Sequence, residues 1–459
     1  MVSSIWRATE GDRTLDLTIT NRLLYQLSYG GARQIIPVKK AERKMMRIAM
    51  LSYHTCPLAT LGGKQTGGMN VYVRELTRFL GMAGIQVDVF TRSQDDHVPH
   101  VLHDLGYGNR IVHIPAGAET PLPSQELASH IPQFVDGILQ FAREKDVHYD
   151  LVHSHYWMSG MAALELKQAW NVPIVQMFHT LVLMKNRVAS DPSQLEGPYR
   201  EQGERKVMQQ VDRIIAATPA ELAQLQFLYK LDKHKVTIIP PGVDTARFYP
   251  IAAEEAKEFI GIPPHGRMIL FVGRIEPLKG LETLIRAIAA LRPTGLLIDC
   301  PHYLAVIGGE PDASQEEMSA EMARLQELVK TLGLGDLVLF LGKRSQDTLP
   351  YYYSAADVLV MPSHYESFGM VALEAMACGT PVIATQVGGL AFLVKDGETG
   401  FVVPDGDPIA MGEKLAQLIC QDDLRNRLGD QAHSYAQQYA WEKITRQIIS
   451  VYQELTSRG

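Results

Sequence analysis

The stretch Asp357-Val-Leu-Val-Met-Pro-Ser-His-Tyr-Glu-Ser-Phe-Gly-Met-Val-Ala-Leu-Glu-Ala-Met-Ala-Cys-Gly-Thr-Pro-Val-Ile-Ala constrains the fold of this chain more than any other. Its opening apolar run, stopped by Pro362, has the composition of a strand buried on both faces. Residues 363–367 read as a loop, and Phe368 to Ala377 as a helix ended by Gly379 and Pro381. A second apolar run begins at Val382. Strand, helix and strand in that order imply parallel pairing, because parallel strands need a long crossover. In such open sheets ligands bind beyond the carboxyl ends of the strands, and that is where this pattern puts Glu366.

Glu374 follows Glu366 by eight residues, about two helical turns, so both carboxylates can reach one edge of the same cleft. Ionised carboxylates each accept several hydrogen bonds, which suits a ligand rich in hydroxyls. The backbone N–H groups of Phe368 and Gly369, at the helix start, suit hydroxyl or phosphate oxygens. Either glutamate alone reads as an ordinary helix charge. The two together, in Glu366-Ser-Phe-Gly and Glu374-Ala-Met-Ala-Cys-Gly-Thr-Pro-Val, resemble the Glu–seven residues–Glu donor-sugar motif of retaining glycosyltransferases of family 4, with the GT-B fold. The resemblance extends over nearly everything after Met46. It implies an α/β protein of two doubly wound Rossmann-like lobes, an interlobe cleft, and a C-terminal helix crossing back to the first lobe.

The first convincing strand is Arg47-Ile-Ala-Met-Leu, after which comes Gly67-Gly-Met-Asn-Val-Tyr-Val and a helix with Val73, Leu76 and Leu80 on one face. A strand, a glycine loop, a helix and the strand Val87-Asp-Val-Phe make a βαβ opening. Gly67 and Gly68 let backbone N–H groups approach an oxyanion closely. A lone Gly-Gly is usually a turn, but this run resembles the acceptor and diphosphate loop of family members that glycosylate inositol phosphate. Two further strands end in His153-Ser-His-Tyr and Phe178-His-Thr, bringing His155, Tyr156, His179 and Thr180 to the same rim; His153 reads as a core histidine. The resemblance assigns Gly68, Asn70, Tyr156, Thr180, Lys185 and Arg200 to a phosphorylated acceptor, and cation and hydroxyl donors together do suit phosphate. Singly, Lys185 and Arg200 read as solvated charges. Relatives acting on inositol phosphate carry a further lysine in the segment aligned with Gly117 to Leu127. This chain has none there, and Ile114 to Gly137 looks more like a sucrose-phosphate synthase.

Prolines 240, 241 and 250 stiffen a connection between lobes. Met268-Ile-Leu-Phe-Val-Gly-Arg-Ile-Glu-Pro-Leu-Lys-Gly then opens a new unit, whose following helix has a stripe of Leu281, Leu284, Ile288 and Leu291. Arg274 and Lys279 flank that loop. Taken singly each suits a loop salt bridge, but the pair suits a departing diphosphate and matches the family's diphosphate-binding positions. By the same resemblance Gly273, Gly342, Lys343 and Ser367 complete the donor contacts with Gly67, Gly68, Arg274, Lys279, Glu366, Phe368, Gly369 and Glu374, and His179, Arg274, Lys279 and Glu366 are the catalytic set. The expected division is an extension at residues 1–44, disordered and outside the fold, then an acceptor lobe at 45–245 and a donor lobe at 246–440. Helix 441–455 packs back on the acceptor lobe.

A net charge of −7 gives no basic signature for nucleic acid or an anionic membrane. With 459 residues and 46% hydrophobic content the chain can bury two ordinary cores. No apolar run reaches membrane-spanning length, and no secretory segment is evident. The four cysteines show neither zinc spacing nor a disulfide framework, so a cytoplasmic enzyme is expected. Asp405-Gly-Asp407 has the look of a metal motif but follows Pro404 in a glycine-rich loop, so it reads as a turn away from the cleft. No metal ligand and no cofactor are expected.

The resemblance implies transfer of a hexosyl group from a UDP-sugar, with retention, to a phosphorylated sugar. UDP-glucose and fructose 6-phosphate, giving sucrose 6-phosphate, come first, and UDP-N-acetylglucosamine with inositol phosphate second. A sucrose synthase, a mannosyltransferase to lipid, a same-fold UDP-sugar epimerase and a nucleotide-sugar binder without turnover are the remaining alternatives.

Overall fold

The computed structural model describes residues 45–59, 67–189, 195–262, 266–292, 301–313 and 318–457. The expectation for residues 1–44 lies outside them. Two sheets organise the described chain. The first is built from β1 (Arg47–Leu51), β2 (Gln86–Arg92), β3 (Val101–Leu102), β4 (Arg110–Ile114), β5 (Leu151–His155), β6 (Ile174–Met177), β7 (Arg213–Ala216) and β8 (Val236–Ile238). Its spatial order is β3-β4-β2-β1-β5-β6-β7-β8. Every pairing is parallel except β3 with β4 at the edge. The second holds β9 (Arg267–Val272), β10 (His302–Ile307), β11 (Val338–Gly342), β12 (Val358–Met361), β13 (Val382–Thr385) and β14 (Gly400–Val403), in the order β11-β10-β9-β12-β13-β14, all parallel.

Strand order reverses between β1 and β5 in one sheet and between β9 and β12 in the other. Loops leaving neighbouring strands at such a point diverge to opposite faces and leave a crevice. The glycine loop and Tyr156 therefore flank one crevice, and residues 273–280 and 362–369 the other.

Alternate strand residues face opposite ways, so each sheet buries two faces. In β1, Ile48 and Met50 join one apolar cluster while Ala49 and Leu51 join another. In β9, Met268 and Leu270 return to that first cluster, and Ile269 and Phe271 enter a third. Two separate cores were expected, but the first cluster runs on from one lobe into the next. Its continuity passes through the helix Trp441–Thr456. Trp441 is 1% exposed, with its ring 5.3 Å from Tyr72 and 6.2 Å from Phe79, both on the helix Gly68–Met82. Further along, Tyr452 meets His153 Nδ1 at 2.6 Å. The two chain crossings between lobes lie side by side: Val243 N–H donates to Tyr439 O at 2.9 Å, and Trp441 N–H to Val243 O at 3.1 Å. No described helix is long and apolar enough to cross a membrane. Cys56 and Cys378 are free, but Cys420 is disulfide-bonded, which corrects the expectation of no disulfide.

Candidate active site between the two lobes

On the second sheet the loops after β9 and β12 meet at the crevice. Lys279 Nζ lies 2.6 Å from Glu366 Oε2, and Arg274 Nη1 lies 2.7 Å from Glu276 Oε1. Both loops are pinned from behind. His364 N–H donates to Leu278 O at 2.9 Å, and Gly389 N–H to Glu366 O at 2.9 Å. Two glycines make this packing possible. A methyl on Gly280 would lie 1.9 Å from Pro362 O, and one on Gly388 2.0 Å from Glu366 O, and both have positive φ. Phe368 puts its side chain in the core, a methyl on Gly389 would lie 2.4 Å from its Cα, and Gly369, in the left-handed region, starts the helix Met370–Ala377.

Glu374 is 7% exposed and accepts from the Tyr353 hydroxyl at 2.8 Å through Oε2. Burial pushes its carboxyl up to about 7, opposed by that hydrogen bond and helped by the nearby charge of Glu75. Glu75 belongs to the first lobe, on the helix Gly68–Met82, whose Arg74 donates to Gln346 of the second lobe. Lys343 pairs with Glu310 at 2.5 Å. Asp407 caps the helix Pro408–Cys420 by accepting from Ile409 and Ala410 N–H at 3.0 Å each, as a turn residue should. Asp405, by contrast, lies 2.7 Å from His364 Nδ1. It therefore touches the Glu366 loop, correcting the expectation that this turn lies away from the cleft.

The first lobe reaches across. A methyl on Gly67 would lie 3.9 Å from Arg274 Nε, and one on Gly68 3.5 Å from Met370 Sδ. The helix start at Gly68, whose first N–H groups have no partner within the helix, thus faces the Arg274 loop. Asn70 is a different matter from the expected acceptor ligand. It is 1% exposed, its Oδ1 accepts from Gly67 N–H at 2.9 Å, and its Nδ2 donates to Thr55 Oγ1 at 2.7 Å and Cys56 O at 2.8 Å. Its amide is committed to shaping the glycine loop.

At the ends of β5 and β6 two non-glycine residues hold positive φ, Tyr156 at 72° and His179 at 62°. Such conformations cost of order 1–3 kcal/mol and cluster at functional sites. His179 Nε2 lies 3.0 Å from His155 Nδ1, under the edge of Tyr72. Burial lowers the His179 pKa to about 3, with His54 adding to it, and lowers that of His54 to about 4, with Arg200 adding. Both imidazoles are neutral at pH 7.

Tyr156, Thr180, Lys185 and Arg200 do come together. Arg200 is 2% exposed and stacks over Tyr156 at 4.8 Å. Its Nη2 donates to Thr180 Oγ1 at 2.9 Å and Thr180 O at 3.1 Å, its Nε to Glu204 at 2.9 Å, and its Nη1 to Glu196 Oε2 at 2.7 Å. Lys185 pairs with the other oxygen of Glu196. Glu196 and Glu204 went unnoticed in the sequence. The signal for Glu204 was available, four residues beyond Arg200 on one helix face; Glu196 lies in a loop, where no periodicity marks it. Tyr365, beside Glu366, lies within the electrostatic reach of both lobes: burial and the charges of Glu221 and Glu366 push its phenol up, with Arg200 opposing.

Residues 66–247 match the family model described as Glycosyltransferase Family 4, and residues 252–435 that described as Glycosyl transferases group 1. The chain is 39% identical to the D-inositol 3-phosphate glycosyltransferase of Actinosynnema mirum over 89% of this chain and 97% of that one. It is 38% identical to that of Corynebacterium urealyticum, over 89% and 96%. Among solved structures, the sucrose-phosphate synthase from Thermosynechococcus elongatus superposes with a TM-score of 0.81 at 35% identity, covering 90% of this chain and 100% of that one. Two parallel-sheet lobes, the crevices at their switch points and these matches lead to one conclusion: the chain belongs to the family 4 glycosyltransferases of the GT-B fold.

Proposed function

We propose that the enzyme transfers a hexosyl group from a UDP-sugar to a phosphorylated acceptor, with retention and without a metal. The observation that carries this reading is the gathering of Tyr156, Thr180, Lys185 and Arg200 on one lobe, across the cleft from Arg274, Lys279, Glu366 and Glu374 on the other. The donor sits on the second lobe. Glu374, with Oε2 on Tyr353, offers Oε1 to ribose hydroxyls, Gly342 and Lys343 border the base, and Glu366, Ser367 and the Phe368–Gly369 backbone take sugar hydroxyls. Gly273, Arg274, Lys279 and the N–H groups at Gly67 and Gly68 face the diphosphate, whose arrival draws Lys279 off Glu366.

As the bond from the anomeric carbon to the diphosphate oxygen breaks, the acceptor oxygen bonds to the same face, and its proton passes to the departing diphosphate. Developing negative charge meets Arg274, Lys279 and the helix start. Positive character on the sugar ring meets the carbonyl of His179, whose positive φ fixes its direction. The neutral imidazole adds no opposing charge.

Two acceptors fit this description. Fructose 6-phosphate with UDP-glucose is supported by the lysine-free segment Gly117–Leu127 and by the likeness to a sucrose-phosphate synthase structure. Inositol phosphate with UDP-N-acetylglucosamine is supported by the names of the similar curated relatives. UDP release is measured with each donor against fructose 6-phosphate, fructose and inositol 1-phosphate in EDTA, with the product's anomeric configuration read by NMR. Turnover only with fructose, loss of activity in EDTA, or inversion each removes one element of the reading.

A further inference from the structure

Each nitrogen of the Arg200 guanidinium has a partner, and of its two carboxylate partners only one reaches solvent. Nε is held by Glu204, which is 0% exposed and also accepts from Val182 N–H at 3.1 Å. Nη2 is held by Thr180. Nη1 is held by Glu196, whose side chain is 21% exposed and reachable from solvent, as is that of Lys185 at 38%. The Glu196 carboxylate bridges Arg200 and Lys185, so a phosphate that gains both cations competes for its position. The placement of Glu196 is not casual either. Its N–H donates to Asn186 Oδ1 at 3.0 Å, and its carbonyl accepts from Asn186 Nδ2 at 3.1 Å, so one amide side chain clamps both backbone groups.

We infer that Glu196 is a built-in anion that occupies the phosphate position of the acceptor site and must be displaced by the acceptor's own phosphate. This rests on the phosphorylated-acceptor reading above. The charge balance explains why such a device selects. With Glu196 in place, two cations face two carboxylates; with it swung out, Lys185 and Arg200 against Glu204 leave one net positive charge for a phosphate. A neutral sugar brings nothing to replace the carboxylate and leaves Arg200 short of a partner, which is costly for a buried guanidinium. The Asn186 clamp keeps the Glu196 backbone in position while its side chain moves, so the site refills when product leaves. Arg200 and Lys185 hold the Glu196 carboxyl below its ordinary range against the opposing effect of burial, so it competes as an anion at neutral pH.

The test uses the full-length enzyme and whichever phosphorylated acceptor it turns over. Inhibition by inorganic phosphate and the acceptor KM are compared in wild type, Glu196→Gln and Asn186→Ala. Glu196→Gln is expected to strengthen phosphate inhibition and lower the acceptor KM by about tenfold each, the value of one charge-assisted hydrogen bond, while the donor KM moves far less. Asn186→Ala, which leaves every charge in place, is expected to shift both the same way by a smaller factor, and serves if the first variant does not fold. Unchanged or weakened phosphate inhibition in either folded variant overturns the role of Glu196 alone. Turnover of unphosphorylated acceptors only, with no phosphate inhibition in any form, overturns the acceptor reading and this inference with it.

Discussion

Lys279 and Glu366 neutralise each other at 2.6 Å, so a diphosphate entering the crevice meets a cation that must change partner. Lys279→Ala is expected to lower kcat by about 100- to 1000-fold at saturating donor, the scale of losing one charge aimed at the leaving group; single-turnover UDP release reads it, and a loss under fivefold would remove Lys279 from the chemistry. Glu374 titrates on a different logic. Its carboxyl keeps its proton up to about 7 in the folded protein and only to about 4.5 when unfolded. Stability is therefore full below 4.5 and falls as pH rises from there to 7, by on the order of 3 kcal/mol. Glu374→Gln should melt higher than wild type at pH 8 and equally at pH 4, on thermal unfolding. Ribose hydroxyls favour the ionised acceptor, so wild-type UDP affinity should rise between pH 6 and 8 and that of Glu374→Gln stay flat by calorimetry. That Lys279 and Glu366 share one crevice was legible in the sequence, because each lies in a loop leaving a buried strand. Asn70 was not: an asparagine two residues past a glycine pair reads the same whether its amide faces a ligand or, as here, closes on Gly67 and Thr55.

Strands β4 and β7 were not singled out; the strands β1, β2, β5, β6, β9, β12 and β13 could be read from their apolar runs, since a strand buried on both faces has no polar alternation to confuse it. The packing of loop on loop could not. Nothing in Asp405 or Gly388 announces that one touches His364 and the other lies against the Glu366 backbone, because those contacts join segments distant in sequence. Gly388→Ala puts a methyl where Glu366 O stands, on a backbone at φ 44°. It is expected to cost roughly 1–3 kcal/mol in urea unfolding and to raise the donor KM; wild-type UDP affinity in this variant would show that the loop has slack.

The family resemblance implied two lobes and a returning helix, yet not one apolar cluster running through both. That continuity depends on Trp441, a residue whose partners Tyr72 and Phe79 are far away in sequence. Trp441→Ala is expected to cost about 3–5 kcal/mol, seen as a lowered Tm for both lobes together; a drop confined to one lobe would mean they are stabilised independently. Beside it, the two crossings between lobes are hydrogen-bonded to each other at Val243 and Trp441.

The return of the terminal helix also fixes an order of events during synthesis. Tyr72 and Phe79 leave the ribosome several hundred residues before Trp441 can cover them. For the whole time the second lobe is being made, Tyr72 and Phe79 lack this cover, so a chain halted before residue 441 has every strand of both sheets and still lacks the helix that closes over that face.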